Sequence, residues 1–562
     1  MIVKAHFKLC FLLCLLFILI HDKIKMICEV IMMNNKIIEF IKSIIIIMLY
    51  ALFSTLLLYK RFEIKSMIIL IFSFSIFYFL SIFLNRRNID DYFIRHNLFN
   101  INKFFVIYAC ILGLSMSFLI PFHNVPDEID HINLMYSERN LDDTYESVFG
   151  KFDASMDTTI NENNIVNQKD YFDNSKKVNV KNSFKLPKIT AIKHFPQIIG
   201  SIIGEIFHVP YYIYLSLMEI CGLIFYILVC NKALKKMPFK KETLMCIVLL
   251  PVCLQQMSSI SYDTMLTATC FLFIASVFEL KYKKDNIVLK DLMILLFYLL
   301  LIAICKLPYV LLGLLIFMLP LSKIKFRLFN LDINGESLKK YILNNKSKLI
   351  AVLIVFVLIF SIFGYFTLNK MTSGRVLIST ILNPIDTLKI FYHTLKNEFS
   401  FYVDTIFGNL GVFNIFTYKF IDAFLLGNLL IISLFSFKIE NSKKIVNEFK
   451  LCKFDKTILL ITFISVSYLI ILSMFEWTLY LMNISYENFS IQEFSAYLKS
   501  VHLISGVQGR YFIPILPLIL IPLGNKKVYE KTLRFNPIAF QTFYYIFLFC
   551  YMILLMLFRF WI

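Results

Sequence analysis

Thirteen apolar runs along this chain approach the roughly 20 residues that carry an α-helix across a bilayer, where every backbone amide must be satisfied inside its own segment. They lie near residues 43–59, 66–84, 103–121, 211–230, 243–260, 263–280, 290–305, 308–321, 348–368, 420–437, 457–475, 511–524 and 538–561. A further run, 8–20, has Lys4 and Lys8 at its start and Lys23 and Lys25 after it, with no small-residue cleavage site following. It reads as a first span rather than a signal h-region, although a start at Met26 or Met32 would remove it. The expected fold is therefore all-α, a polytopic transmembrane helical bundle of about 13–14 spans.

Composition agrees and removes other classes. The 562 residues are 59% hydrophobic with mean hydropathy +0.72, beyond what a soluble globular protein carries. Twelve cysteines sit mostly inside apolar runs, as Cys110, Cys221, Cys253, Cys270 and Cys305 do, and no C-x-x-C pair occurs. They act as small apolar residues, not as disulfides or thiolate ligands. The net charge of +19 is concentrated in short loops, which is membrane topology and not a nucleic-acid surface.

Those loops set the expected orientation. Lys232 to Lys241, Lys281 to Lys284, Lys323 to Lys340, Lys443 to Lys456 and Lys526 to Arg534 are rich in Lys and Arg and alternate along the chain, so they belong on the cytoplasmic side. The outer side then receives the large loop 122–194, the turns Ser261-Tyr262-Asp263 and Lys306-Leu307-Pro308, and residues 369–419 and 476–510. Every candidate polar site falls on that side.

Val125-Pro126-Asp127-Glu128-Ile129-Asp130-His131 opens the large loop just after the 103–121 run. Proline at a first helical position followed by two acids is a good helix start, so the chain should coil from Pro126. Asp127 and His131 then stand four apart, Glu128 and His131 three apart, sharing one face, while Ile129, Ile132 and Met135 or Tyr136 take another. The result is an amphipathic helix in the interface with its ionisable groups toward a cavity. The plainer alternative is a helix cap with solvated acids, worth only ~1 kcal/mol. Asp142, Asp143, Glu146, Asp153 and Asp157 make the loop acidic before it turns Asn-rich, too polar for a core of its own. It closes at His194-Phe195-Pro196-Gln197, and the apolar stretch 198–207 is short enough to be re-entrant or interfacial. No internal repeat, glycine-rich nucleotide loop or Walker-type lysine is present, so cytoplasmic ATP bound by this chain is not the energy source.

Pro126-Asp127-Glu128-x-x-His131, His194-Phe195-Pro196-Gln197, Ser261-Tyr262-Asp263, Gly408-x-x-Gly411 and Gly506-Val507-Gln508-Gly509-Arg510-Tyr511-Phe512-x-Pro514 resemble, in order, the bacterial membrane family labelled domain of unknown function 2142. The resemblance covers about residues 100–530; Val412 and Phe413 after the Gly-x-x-Gly element depart from its usual aromatic context. It divides the chain into an N-terminal membrane segment 1–100, a membrane domain 101–530 and a C-terminal helix 531–562. That family looks like the GT-C glycosyltransferases, which implies a GT-C-like scaffold using an acidic motif of its first outer loop to transfer sugar from a polyprenyl-phosphate donor.

Such transfer needs a group that deprotonates or orients an acceptor hydroxyl and cations that stabilise the leaving phosphate. Asp127 is the expected base, although sequence alone leaves Asp127 and Glu128 nearly interchangeable in that role. Glu128 orients the acceptor or, with Asp127, holds a divalent cation such as magnesium or manganese, and His131 serves as partner or ligand. Arg510, at the outer end of its run beside Gln508, Gly509 and Tyr511, is the first phosphate candidate, against simple snorkelling at a helix end. Lys306 and Arg375 are the second and third. Asp263 with Tyr262 caps an outer helix end or orders the acceptor, and His194 and Gln197 face the same cavity or lie at the surface. The expected partners are a lipid-linked sugar donor, a glycan or glycolipid acceptor and membrane lipid. The expected function is a cell-membrane glycosyltransferase with an outward-facing site. Alternatives are a transporter or flippase of lipid-linked saccharides, a polysaccharide polymerase, or a purely structural membrane protein. Clustering of ionisable residues at outer helix ends instead of mid-span favours an enzyme.

Overall fold

The computed structural model describes residues 100–149, 187–328, 369–412, 415–434, 451–523 and 537–560, with parts of 172–180 and 331–345. The expected spans 8–20, 43–59, 66–84 and 348–368 lie outside the described residues.

Helix α1 (Ile101–Leu119) begins where the Asn100 carboxamide oxygen accepts the N–H groups of Asn102 and Lys103. After α2 (Glu128–Glu138), α3 (Tyr145–Phe149) and a 3-10 turn at Ile189–His194 come α4 (Phe195–Ile206) and α5 (Tyr211–Lys236). Next are α6 (Lys241–Val248), α7 (Pro251–Met257), α8 (Asp263–Tyr282) and α9 (Leu289–Cys305). The second half holds α10 (Thr372–Leu382), α11 (Pro384–Phe407), α12 (Lys419–Leu434), α13 (Lys453–Ser473) and α14 (Phe475–Leu481). It closes with α15 (Ile491–Ser500), α16 (Leu516–Leu520) and α17 (Pro537–Phe560). Among the described residues the strands form two short antiparallel hairpins, Lys325–Leu328 with Leu331–Asn334 and Asn409–Leu410 with Ile415–Phe416. The protein is an all-helical membrane protein.

Helix α8 is the axis. It is apolar on nearly every face and buried almost throughout, as a helix without a polar side must be. Around it pack α5, α9 and the segment Leu307–Met318, with α1 on the far side of α5. Asn102 Nδ2 donates to Asn231 Oδ1 at 2.7 Å and ties α1 to α5.

Among the described residues, α1, α5, α8 and the continuous stretch Lys453–Leu481 are long and apolar enough to cross a membrane unaided. The expected spans 290–305, 420–437 and 538–561 are the single helices α9, α12 and α17, while three other runs are broken or wound differently, for local reasons. The run 243–260 is not one helix. Pro251 lacks an N–H and forces Leu250 out of the helical region (ψ 134°), so α6 and α7 meet at a corner. The run 308–321 is a 3-10 helix over Leu307–Met318, whose 2.0 Å rise stretches twelve residues to ~24 Å, against ~18 Å as α-helix. The run 511–524 opens as a 3-10 segment, Gly509–Ile515, before α16.

The described part of the large loop packs on the bundle. Phe122, Ile132, Met135, Tyr136, Tyr145, Val148 and Phe149 form an apolar cluster with Tyr214, Leu215 and Met218 of α5 and with Ile260. Its closing helix α4 is amphipathic. Ile199, Ile202, Ile203 and Ile206 are exposed, while Gln197, Gly200, Ser201 and Gly204 face inward, and a Cβ at Gly200 would collide with the Leu217 carbonyl of α5. Twelve residues lying this way bear out a non-spanning element. Arg139, just past the end of α2, clamps α4 by donating from both terminal nitrogens to Glu205 (2.6 and 2.8 Å) and from Nη1 also to Ser201 (2.9 Å), and the Tyr214 hydroxyl donates to Glu205 at 3.0 Å.

Candidate functional site

The helix expected to begin at Pro126 begins two residues later. Asp127 sits before it in the left-handed region, φ 70°, and caps nothing. The cause is Glu128. Only 1% exposed, its Oε2 accepts the N–H groups of His123 (2.8 Å) and Val125 (3.4 Å), folding the preceding turn back on the helix, and its Oε1 accepts the Ile260 N–H at 3.4 Å. The two acids are therefore not interchangeable: Glu128 fastens the loop to the α7–α8 connection, whereas Asp127, its side chain 49% exposed, meets solvent. The solvated-cap alternative fails for both.

His131 reaches the same connection. Its Nε2 lies 3.1 Å from Ser261 Oγ, which also accepts the Asp263 N–H at the start of α8, and its ring stands edge-on to Tyr262 at 4.7 Å. Burial, and then the nearby His194, Arg510, Lys193 and Lys306, hold the His131 imidazole well below the ordinary histidine range, so it is neutral. The expected common face therefore holds for Glu128 and His131, which meet the adjacent Ile260 and Ser261, and is corrected for Asp127, which stands before the helix and turns to Arg510.

His194 is buried. Its Nδ1 lies 2.9 Å from Glu138 Oε2, and Lys193 reaches Glu138 Oε1 at 2.9 Å. Burial raises the Glu138 carboxyl, but these two hydrogen bonds outweigh it and leave the group below its usual range; burial also lowers His194 on balance despite Glu138. Gln197 Nε2 donates to the Ser261 carbonyl at 2.9 Å. These contacts join α2 and α4 to the Ser261-Tyr262-Asp263 turn.

Arg510 comes from the opposite end of the sequence. Gly509 packs so closely on α11 that a Cβ would collide with the Tyr402 carbonyl, and its N–H donates to Thr405 Oγ1 at 2.7 Å. The next side chain is thereby driven inward. Arg510 Nη2 donates to Asp127 Oδ2 and Nη1 to Gln256 Oε1, both at 2.6 Å, with the Arg510 side chain 7% exposed. That rules out snorkelling. Lys306 Nζ stands 3.7 Å from the centre of the Tyr511 ring, and Tyr309 donates its hydroxyl to the Tyr511 carbonyl at 2.6 Å. Gln256, Asp263, Thr267, Tyr309, Arg510 and Tyr511 line a narrow cleft floored by Cys253, Met257, Leu266, Ile513 and Pro514.

Gln508 Oε1 is buried without a partner among the described residues. Arg375 stands apart. Its guanidinium donates to the Glu487 carbonyl (2.6 Å) and Thr372 Oγ1 (3.3 Å), residues outside the cleft, which corrects its grouping with Arg510 and Lys306. The Gly-x-x-Gly element is structural: Gly408 leaves room for Asp422, and Gly411, at φ 65°, turns a hairpin held by Gln255.

Three residues with roles here escaped the sequence reading: Gln256, Glu138 and Glu219. The signal for Gln256 was a glutamine pair inside an apolar run, and for Glu219, buried on α5, an acid inside another. Among the described residues no three His, Cys, Asp or Glu side chains are grouped to hold a metal ion. Glu128 spends its oxygens on amides and Asp127 faces a guanidinium, so the two carboxylates do not converge as a chelate.

A family model described as "Predicted membrane protein (DUF2142)" matches residues 110–519, from within α1 to within α16, and so spans every residue of the cleft. No curated protein and no solved structure matches the chain significantly.

Proposed function

The chain belongs to the DUF2142 family of predicted membrane proteins, and on that footing we propose that it is a glycosyltransferase moving a sugar from a polyprenyl-phosphate donor to a surface glycan or glycolipid at the outer membrane face. The observation that carries this reading is the Asp127–Arg510 pair. Residues 383 positions apart meet at 2.6 Å, at the end of the bundle where the 122–194 loop leaves it, beside a cleft lined by Asp263 and Tyr511, with Lys306 over the Tyr511 ring.

That set supplies what the reaction needs. A carboxylate beside Arg510 takes the acceptor's hydroxyl proton, the acceptor oxygen attacks the anomeric carbon, and the carbon–oxygen bond to phosphate breaks. Polyprenyl phosphate leaves with the electron pair, and its charge is met by Arg510 and Lys306. One displacement of this kind inverts the anomeric centre. Glu128 and His131 contribute by position: the first fastens the loop carrying Asp127, the second seats that loop on the α8 end carrying Asp263.

A second reading, transport of a lipid-linked saccharide, rests on Glu219, an acid buried within a spanning helix as transporter relay groups are. The experiment is transfer of labelled sugar from a panel of polyprenyl-phosphate donors by the purified chain, beside proteoliposomes loaded for translocation. Donor consumption abolished in Arg510→Ala supports the enzyme; translocation without consumption, lost in Glu219→Gln, replaces it with the transporter.

A further inference from the structure

The cleft contains hydrogen-bonding groups that no described residue uses. Gln256 is buried, and with its Oε1 committed to Arg510 its Nε2 has no partner among the described residues. Arg510 Nε is likewise buried and unpartnered among them, although both terminal nitrogens of the same guanidinium are engaged. Leaving two buried donors unmade costs far more than a surface vacancy would, so such groups point to something that fills them. Asp263 lines the same cleft from the first turn of α8; its backbone N–H is bonded to Ser261, and no hydrogen bond to its carboxylate is present among the described residues.

Two donors and one acceptor on residues that line one narrow cleft suit one chemical group. A phosphate oxygen would be satisfied by Gln256 and Arg510 but repelled by Asp263. A hydroxyl satisfies all three, since its oxygen accepts twice and its proton is donated once. We propose that this cleft seats the acceptor hydroxyl, with Gln256 Nε2 and Arg510 Nε donating to its oxygen and Asp263 accepting its proton, so that Asp263 and not Asp127 is the general base.

The proposal rests on the glycosyltransferase reading and divides labour among the acids. The hydroxyl's O–H bond breaks with its proton passing to Asp263, while the oxygen's electron pair forms the new bond to the anomeric carbon as the phosphate leaves. The two donors stabilise the alkoxide character that develops on that oxygen. Asp127, held to the outer side of Arg510, keeps the guanidinium aimed until donor phosphate takes its place. Charged and titratable groups facing Asp263 are Arg510, His194, Tyr262, Tyr309, Cys253 and Cys305, from six separate segments.

The test uses the full chain in detergent with the donor panel and three isosteric variants, Asp263→Asn, Asp127→Asn and Gln256→Glu. Asp263→Asn should lower kcat at least ~100-fold, with donor KM little changed, and should abolish the fall of kcat at acid pH. Asp127→Asn should change donor KM and keep that acid limb. Gln256→Glu should lower kcat and, by adding a carboxylate beside Arg510, also raise donor KM. Retained turnover in Asp263→Asn, or loss of the acid limb in Asp127→Asn, overturns the proposal. If the parent consumes no donor, the glycosyltransferase reading falls separately, and the hydroxyl site is judged by thermal stabilisation with glycerol and methyl glycosides. A rise in Tm for the parent that disappears in Asp263→Asn and Gln256→Glu supports the site; the same response in all three proteins refutes it.

Discussion

Asp127 and Glu128 are neighbours in sequence and opposites in environment, and that difference is measurable. Replacing Glu128 with glutamine puts an NH2 group among backbone N–H donors that the carboxylate satisfies. The expected loss is about 2–3 kcal/mol, read as a lowered Tm in detergent. Asp127→Asn, half-exposed, should cost far less stability because solvent screens its pair with Arg510. The histidines give a pH signature. His131 and His194 are held neutral in the folded protein, below the usual value of 6.5, so the unfolded chain binds more protons at acid pH. Stability from this source is complete above about pH 6.5 and falls as pH drops below it, by up to ~1.4 kcal/mol per pH unit per histidine. His131→Gln should flatten the decline in Tm between neutral and mildly acid pH, and an unchanged slope would show that the burial of this ring has no thermodynamic consequence.

At the scale of elements, the close approach of Gly509 to α11 decides where Arg510 points. Gly509→Ala should push the Gly509–Ile515 segment off α11 and separate Arg510 from Asp127 and Gln256. Its Tm should fall, and donor transfer should be lost even where the variant remains folded. Helix α4 presents its isoleucines outward beside spanning helices, as an interfacial helix does. A tryptophan at Ile202 should therefore emit at short wavelength in liposomes and be quenched by shallowly brominated lipids more than by deeply brominated ones. Quenching by neither would place that face against water.

Across the whole molecule, the Lys- and Arg-rich loops predict one orientation. A cysteine at Asp142 should react with an impermeant maleimide in intact cells, and one at Asp285 only after permeabilisation, each read against the parent's own cysteines; the reverse pattern would turn the cleft inward. The helical membrane class was legible because a bilayer demands long apolar segments, and α1, α5, α8 and α9 fall within a few residues of their runs. Where proline intervenes, as at Pro251, a hydropathy run hides a corner, since apolar content does not report backbone geometry. Asp263, Arg510 and Tyr511 of the cleft, with Asp127 and Lys306 beside it, were also visible as polar groups near helix ends, whereas Gln256, Thr267 and Tyr309 were not. Nor were their partnerships. Helical spacing placed Asp127, Glu128 and His131 on one face, because spacing describes one helix in isolation. Only packing, which brings α7, α8 and the Gly509–Ile515 segment against the start of α2, gave Glu128 to backbone amides, His131 to Ser261, Asp127 to Arg510 and Gln256 to the cleft, since a buried polar group takes whichever partner the fold sets beside it.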